Sequence, residues 1–95
     1  MSYTKDFALT QDAWTLLIDG QTSGGFVQLK DKGPVLVAVA GSAPAVDSTD
    51  ALLLDEGGIK AISFSVLEAS DKVYGRCAHA ETNTVAACAT GTAPA

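Results

Sequence analysis

The strongest constraint on the fold is a short alternating stretch past the middle of the chain. Ile59 to Leu67 reads Ile-Lys-Ala-Ile-Ser-Phe-Ser-Val-Leu, with Ile62, Phe64 and Val66 on one side and Ser63 and Ser65 on the other. A period of two is the pattern of a half-buried strand, because successive side chains of a strand point to opposite faces; an amphipathic helix would repeat every 3.6 residues. Gly25 to Lys30 (Gly-Phe-Val-Gln-Leu-Lys) fits the same template. Val35 to Ala40 (Val-Leu-Val-Ala-Val-Ala) is apolar on both faces, as in a central strand or one covered by a partner.

Turn-forming residues punctuate these stretches. Gly20-Gln21-Thr22-Ser23-Gly24-Gly25, Asp31-Lys32-Gly33-Pro34, Gly41-Ser42-Ala43-Pro44, Asp55-Glu56-Gly57-Gly58 and Glu68-Ala69-Ser70-Asp71 all read as loops or turns. Glycine supplies positive φ there and proline fixes its own φ. The pattern predicts strands over 6–10, 13–19, 25–31, 34–40, 51–55, 59–67, 72–79 and 84–90, with at most one helical turn in Val46 to Ala51. Eight short strands at this spacing imply an all-β fold, a single antiparallel β-sandwich or a jelly-roll-like barrel. The expected organisation is one domain over 1–90 and a flexible or docking tail over 91–95.

Charge narrows the function. Six Lys and Arg against eleven Asp and Glu leave a net charge of −5, so no basic surface is available to displace counterions from nucleic acid or to hold an anionic membrane. No apolar run approaches the roughly 20 residues of a membrane helix. The first residues, Met1 to Asp6, lack an apolar signal core, which points to folding in a cytoplasm. Alanine supplies much of the hydrophobic fraction, and small side chains suit thin layers and close interfaces better than a deep core.

No residue set stands out as catalytic, cofactor-binding or metal-binding, and no cofactor is expected. His79 is the lone histidine and no Gly-x-Ser-x-Gly elbow accompanies it, so it reads as an exposed polar residue beside a turn. Asp47, Asp50, Asp55 and Glu56 lack the spacing of an EF-hand loop and read as a solvated acidic segment. Gly24-Gly25 and Gly57-Gly58 read as turns, because a phosphate loop opens a helix. Trp14, in Ala13-Trp14-Thr15-Leu16-Leu17-Ile18, reads as the largest core side chain.

Two cysteines are too few for a disulfide scaffold or a zinc site. If Glu81-Thr82-Asn83-Thr84 closes a final hairpin, Cys77 and Cys88 face each other across it. Three states are then open: buried thiols, a strained cross-strand bridge, or bonds to neighbouring subunits, in that order of preference.

The order of features resembles that of small bacteriophage virion proteins. A short first strand leads into Trp14-Thr15. Gly33-Pro34-Val35 then turns into an apolar strand, and an Ala43-Pro44 loop follows. Leu52-Leu53-Leu54 runs to Gly57-Gly58, and Val73-Tyr74-Gly75-Arg76 forms a late strand. The resemblance implies a β-sandwich without enzymatic activity, present in the virion and made in the host cytoplasm. It implies a homo-oligomer that contacts the major capsid protein or other virion subunits, as a capsid decoration (cement) protein does. The alternative is a fibre or tail-tip module that binds a host glycan through Trp14 or Tyr74.

Overall fold

The structure is a computed structural model and describes residues 2–20, 23–65, 67–79 and 82–91. They form eight strands: β1 (Ser2–Leu9), β2 (Thr15–Asp19), β3 (Gly24–Leu29), β4 (Val35–Ala40), β5 (Leu52–Leu54), β6 (Ala61–Phe64), β7 (Lys72–Cys77) and β8 (Asn83–Thr90). Two antiparallel sheets of four, in the orders β1-β8-β3-β6 and β2-β7-β4-β5, pack as a sandwich. Pairing runs β1 with β8, β2 with β7, β3 with β6 and β4 with β5, as in a long hairpin rolled up so that successive pairs fall in alternate sheets. Additional ladders of β8 on β3 and β7 on β4 close each sheet. This is jelly-roll wiring. The molecule is a slab of 34 × 24 × 19 Å, and its thin dimension matches two sheets about 10 Å apart with their outer side chains.

The wiring overturns the expected last hairpin. β7 and β8 lie in different sheets, so the chain between them crosses from one layer to the other. Cys77 pairs with Val35, whereas Cys88 pairs with Thr4 and Phe26. Cys77 points into the core. Cys88 lies half-buried on the outer face, its parity set by the buried Val85, Ala87 and Ala89. Both thiols are free, and no bridge between them is geometrically available. Of the expected turn residues, Glu81 lies outside the described residues, as do Ala80 before it, Gln21 and Thr22 of the first glycine-rich loop, Val66, and residues 92–95 of the tail.

Other boundaries shift for identifiable reasons. β1 starts at Ser2, because its partner β8 extends to Thr90. β6 is shorter than the alternating pattern, because it pairs only with Gly25–Gln28 of β3; Ile59 is left 64% exposed while Leu67 re-enters the core. Val46 to Ala51 forms no helix; a single turn is closed by Ser48 N–H donating to the Ala45 carbonyl at 2.9 Å.

The core is built from Leu9, Leu17, Ile18, Val27, Leu29, Val35, Val37, Leu54, Leu67, Val73, Cys77, Val85, Ala87 and Ala89. Leu17 and Ile18 are consecutive yet both fully buried. A register irregularity between Leu16 and Ile18 in the β2–β7 ladder makes this possible, since an extra residue in one strand breaks the alternation. Room for them comes from small residues on the central strands. A Cβ on Gly75 would sit 2.9 Å from Leu9 Cδ1 and 3.0 Å from Leu17 Cδ1.

A buried polar network ties the ends of the strands together. Asn83 Oδ1 accepts from Gly33 N–H at 2.9 Å, Asn83 Nδ2 donates to Cys77 Sγ at 3.4 Å, and the Cys77 thiol donates to the Leu9 carbonyl at 3.0 Å. Deleting one partner leaves a buried donor without its acceptor, which costs about 1–3 kcal/mol. Asn83→Ala is therefore expected to destabilise the domain by about 2 kcal/mol in urea unfolding; a change below about 0.5 kcal/mol would show that water replaces the bond to Gly33.

Candidate functional site

Two features of the surface stand apart from ordinary sandwich packing. The first is on the outer face of the β2-β7-β4-β5 sheet. There Leu36 lies opposite Arg76, and Tyr74 lies between Ala38 and Leu16. These residues point away from the core, yet Leu36, Ala38, Tyr74 and Arg76 are all buried. The segment 41–51 joining β4 to β5 is anchored across this face at two points. Trp14 Nε1–H donates to the Ala45 carbonyl at 2.9 Å, and Arg76 Nη2–H donates to the Ser48 carbonyl at 3.3 Å. The double-sided apolarity of Val35 to Ala38 is thus accounted for within the chain: Val35 and Val37 line the core, and Leu36 and Ala38 are buried on the face where the strap is anchored, while Val39 is left 44% exposed.

Trp14 is consequently not the core residue expected from the sequence. It precedes β2 and is only half-buried. Its ring lies 5.2 Å from Arg76 Cζ, centroid to guanidinium carbon, a cation–π distance. The register explains the difference: Thr15 pairs with Gly75, so Trp14 falls opposite Arg76 on the outer face. Trp14→Ala removes one hydrogen bond and one stacking contact, each worth about 1 kcal/mol. The expected loss is about 2 kcal/mol, with amide exchange accelerated in 45–48. A loss of about 4 kcal/mol or more would restore the core reading.

Arg76 is the chain's single arginine and is 7% exposed. Its Nη1 donates to the carbonyls of Gln11 and Cys77 at 3.2 and 3.4 Å, and its Nη2 to Ser48. Its Nε–H is buried without an acceptor. Lys30 pairs with Asp6 at 2.8 Å and Lys72 with Asp19 at 3.9 Å, and neither ion pair involves Arg76.

The second feature is the margin of the sandwich at β5. This edge strand has three residues and pairs only with Val35–Val37. Leu52 and Leu53 are about half exposed, as is Val46 in the strap, and Ile59 in the following turn is 64% exposed. Asp55 N–H donates to the Ile59 carbonyl at 2.9 Å, which holds that turn beside the strand. A short strand protects a sheet edge from uncontrolled pairing, but this one leaves aliphatic side chains in water on both faces of the margin, since Leu53 pairs with Leu36 and Leu52 with Val37.

The residues weighed for chemistry are dispersed. His79 is exposed at the end of β7, and Asp47, Asp50 and Glu56 are exposed on loops. Asp55 is half-buried and its Oδ1 accepts from Gly57 N–H at 3.3 Å, so it shapes its own turn. Among the described residues no three of His, Cys, Asp and Glu gather as metal ligands. The sequence marks Trp14 and the strand Val73-Tyr74-Gly75-Arg76 separately, and nothing in it signals that Trp14 and Arg76 meet, because they are 62 residues apart.

No protein-family model matches the sequence, and no curated protein matches it. Among solved structures, a hypothetical protein from Leishmania major superposes with a TM-score of 0.63 at 12% identity, covering 94% of this chain. The chain spans 58% of the length of that protein. At that identity the likeness establishes the fold alone.

Proposed function

We propose that this chain is a bacteriophage virion accessory protein, a capsid decoration protein that stabilises the shell through repeated contacts with capsid and sister subunits. The observation that carries this reading is the aliphatic margin of Val46, Leu52, Leu53 and Ile59. Burying such side chains against a neighbour contributes roughly 25 cal/mol per Å2 of apolar surface, and many identical copies turn weak contacts into a strong assembly. The order of sequence features resembling phage virion proteins supports it, and the net charge of −5 favours an exterior position over contact with packaged DNA. Jelly-roll wiring occurs in viral capsid domains, lectins and cupins alike, so it weighs for no one of them.

The glycan-binding alternative needs an exposed aromatic platform. Tyr74 is buried, and a face of Trp14 is occupied by Arg76, so the two aromatics named for it gain no support. The test is rebinding to particles depleted of the protein. Wild type is expected to bind in many copies on the head and raise the particle's melting temperature. Leu52→Asp with Leu53→Asp is expected to abolish binding while the free protein still folds cooperatively, its melting temperature lowered by no more than about 10 °C. Binding in a few copies at the tail, or unaltered binding of the double variant, would overturn the reading.

A further inference from the structure

Arg76 presents an incomplete arrangement. A guanidinium has five N–H donors and binds best to a planar oxyanion that accepts two of them in parallel. Here the cation is more than nine-tenths buried, and neutral carbonyls and a ring face surround it. The acids closest in sequence to its carbonyl partners are Asp12, Asp47 and Asp50; all three are exposed and none forms an ion pair with it. A buried charge without a counter-charge is unfavourable unless something completes it. One side of the guanidinium is conspicuously open to completion. Along its Nε–Nη2 edge, Nε–H has no acceptor and Nη2–H holds only the Ser48 carbonyl, at 3.3 Å. The opposite end, Nη1, is committed to Gln11 and Cys77, which fixes the plane of the group.

We propose that the Nε–Nη2 edge of Arg76 is a carboxylate-binding site that the 41–51 strap closes. A carboxylate arriving from the strap side displaces the Ser48 carbonyl and accepts from Nε–H and Nη2–H together, which a single carbonyl oxygen does not do in this structure. The exchange supplies the missing acceptor and the missing negative charge in one step. The strap is suited to giving way: it crosses the sheet on two side-chain hydrogen bonds, from Trp14 and from Arg76 itself. The carboxylate comes either from an external molecule or from the strap's own Asp47 or Asp50. The inference stands independently of any role in a virion.

The probe is sodium acetate titrated into the intact protein at constant ionic strength, with sodium chloride as the control. Two signals report on the site without any substitution. Trp14, the chain's single tryptophan, stacks on the guanidinium and senses its partner by fluorescence. The single arginine gives one Nε–H resonance, which moves downfield when it gains an acceptor. Saturable changes in both with acetate, absent with chloride and lost in Arg76→Lys, which keeps the charge but not the fork, are expected. If wild type is silent and acetate acts only once Asp47→Asn and Asp50→Asn are combined, the strap's own acids are the occupant and the site stands. An Nε–H resonance that ignores acetate in both proteins overturns the proposal, as does an equal acetate effect in Arg76→Lys.

Discussion

Leu17→Ala is expected to lower the unfolding free energy by about 4 kcal/mol, read by urea denaturation with Trp14 fluorescence. Leu17 is fully buried and belongs to the core cluster. Its Cδ1 lies 3.0 Å from where a Cβ on Gly75 would stand. Truncation removes the transfer free energy of the lost methyl and methylene groups and leaves a cavity that rigid strands do not refill, a combination that costs 2–5 kcal/mol for buried leucines. The upper part of that range applies because Gly75 contributes no side chain to collapse into the space. Leu53→Ala is the control, since Leu53 is half exposed on the edge strand; its expected cost is below about 1 kcal/mol. Equal costs at the two positions would mean that the irregularity at Leu16–Ile18 does not turn Leu17 inward.

This prediction marks the limit of what periodicity reveals. Alternation located the strands, because a half-buried strand must alternate, and β3, β4 and β7 lie close to their predicted spans. It did not show the irregularity in β2, because Leu16-Leu17-Ile18 is apolar throughout and carries no phase. It did not show the partner of β8 either. Short separation between Cys77 and Cys88 favours a local hairpin, and the rolled arrangement pairs β8 with β1 from the far end of the chain. Such pairings leave their trace only in which face is small: Ala87 and Ala89 face inward and Ala86 and Cys88 outward, a distinction invisible in a uniformly small-residue strand. The strap was equally hidden. Ala43-Pro44 reads as a loop, but whether a loop hangs free or lies on a sheet depends on a tryptophan and an arginine roughly 30 residues to either side.

The other large effect is expected at Gly20, which follows β2. Its φ is +60°, the left-handed region in which a Cβ meets the following carbonyl oxygen and costs about 1–2 kcal/mol. Its surroundings add to this. A Cβ there would lie 2.6 Å from the Ala69 carbonyl oxygen and 3.1 Å from that of Asp71. Both are backbone atoms of the turn before β7, a turn closed by Asp71 N–H donating to the Glu68 carbonyl at 3.0 Å and by Glu68 N–H donating to Asp71 Oδ2 at 3.1 Å. Relief therefore requires moving the turn or the end of β2, and these flank the same end of one ladder, where Asp19 pairs with Lys72. Gly20→Ala is expected to cost at least about 3 kcal/mol, a large share of the 5–15 kcal/mol that stabilises a typical domain. Gly57→Ala supplies the contrast. An added Cβ at Gly57 meets nothing within 4 Å, so the substitution is expected to change stability by less than about 0.5 kcal/mol. Thermal unfolding of the two variants side by side separates a requirement for glycine geometry from a general cost of stiffening turns: comparable losses would mean the second, and a loss confined to Gly20→Ala means that the close approach of β2 to the 68–71 turn is a fixed point of the fold.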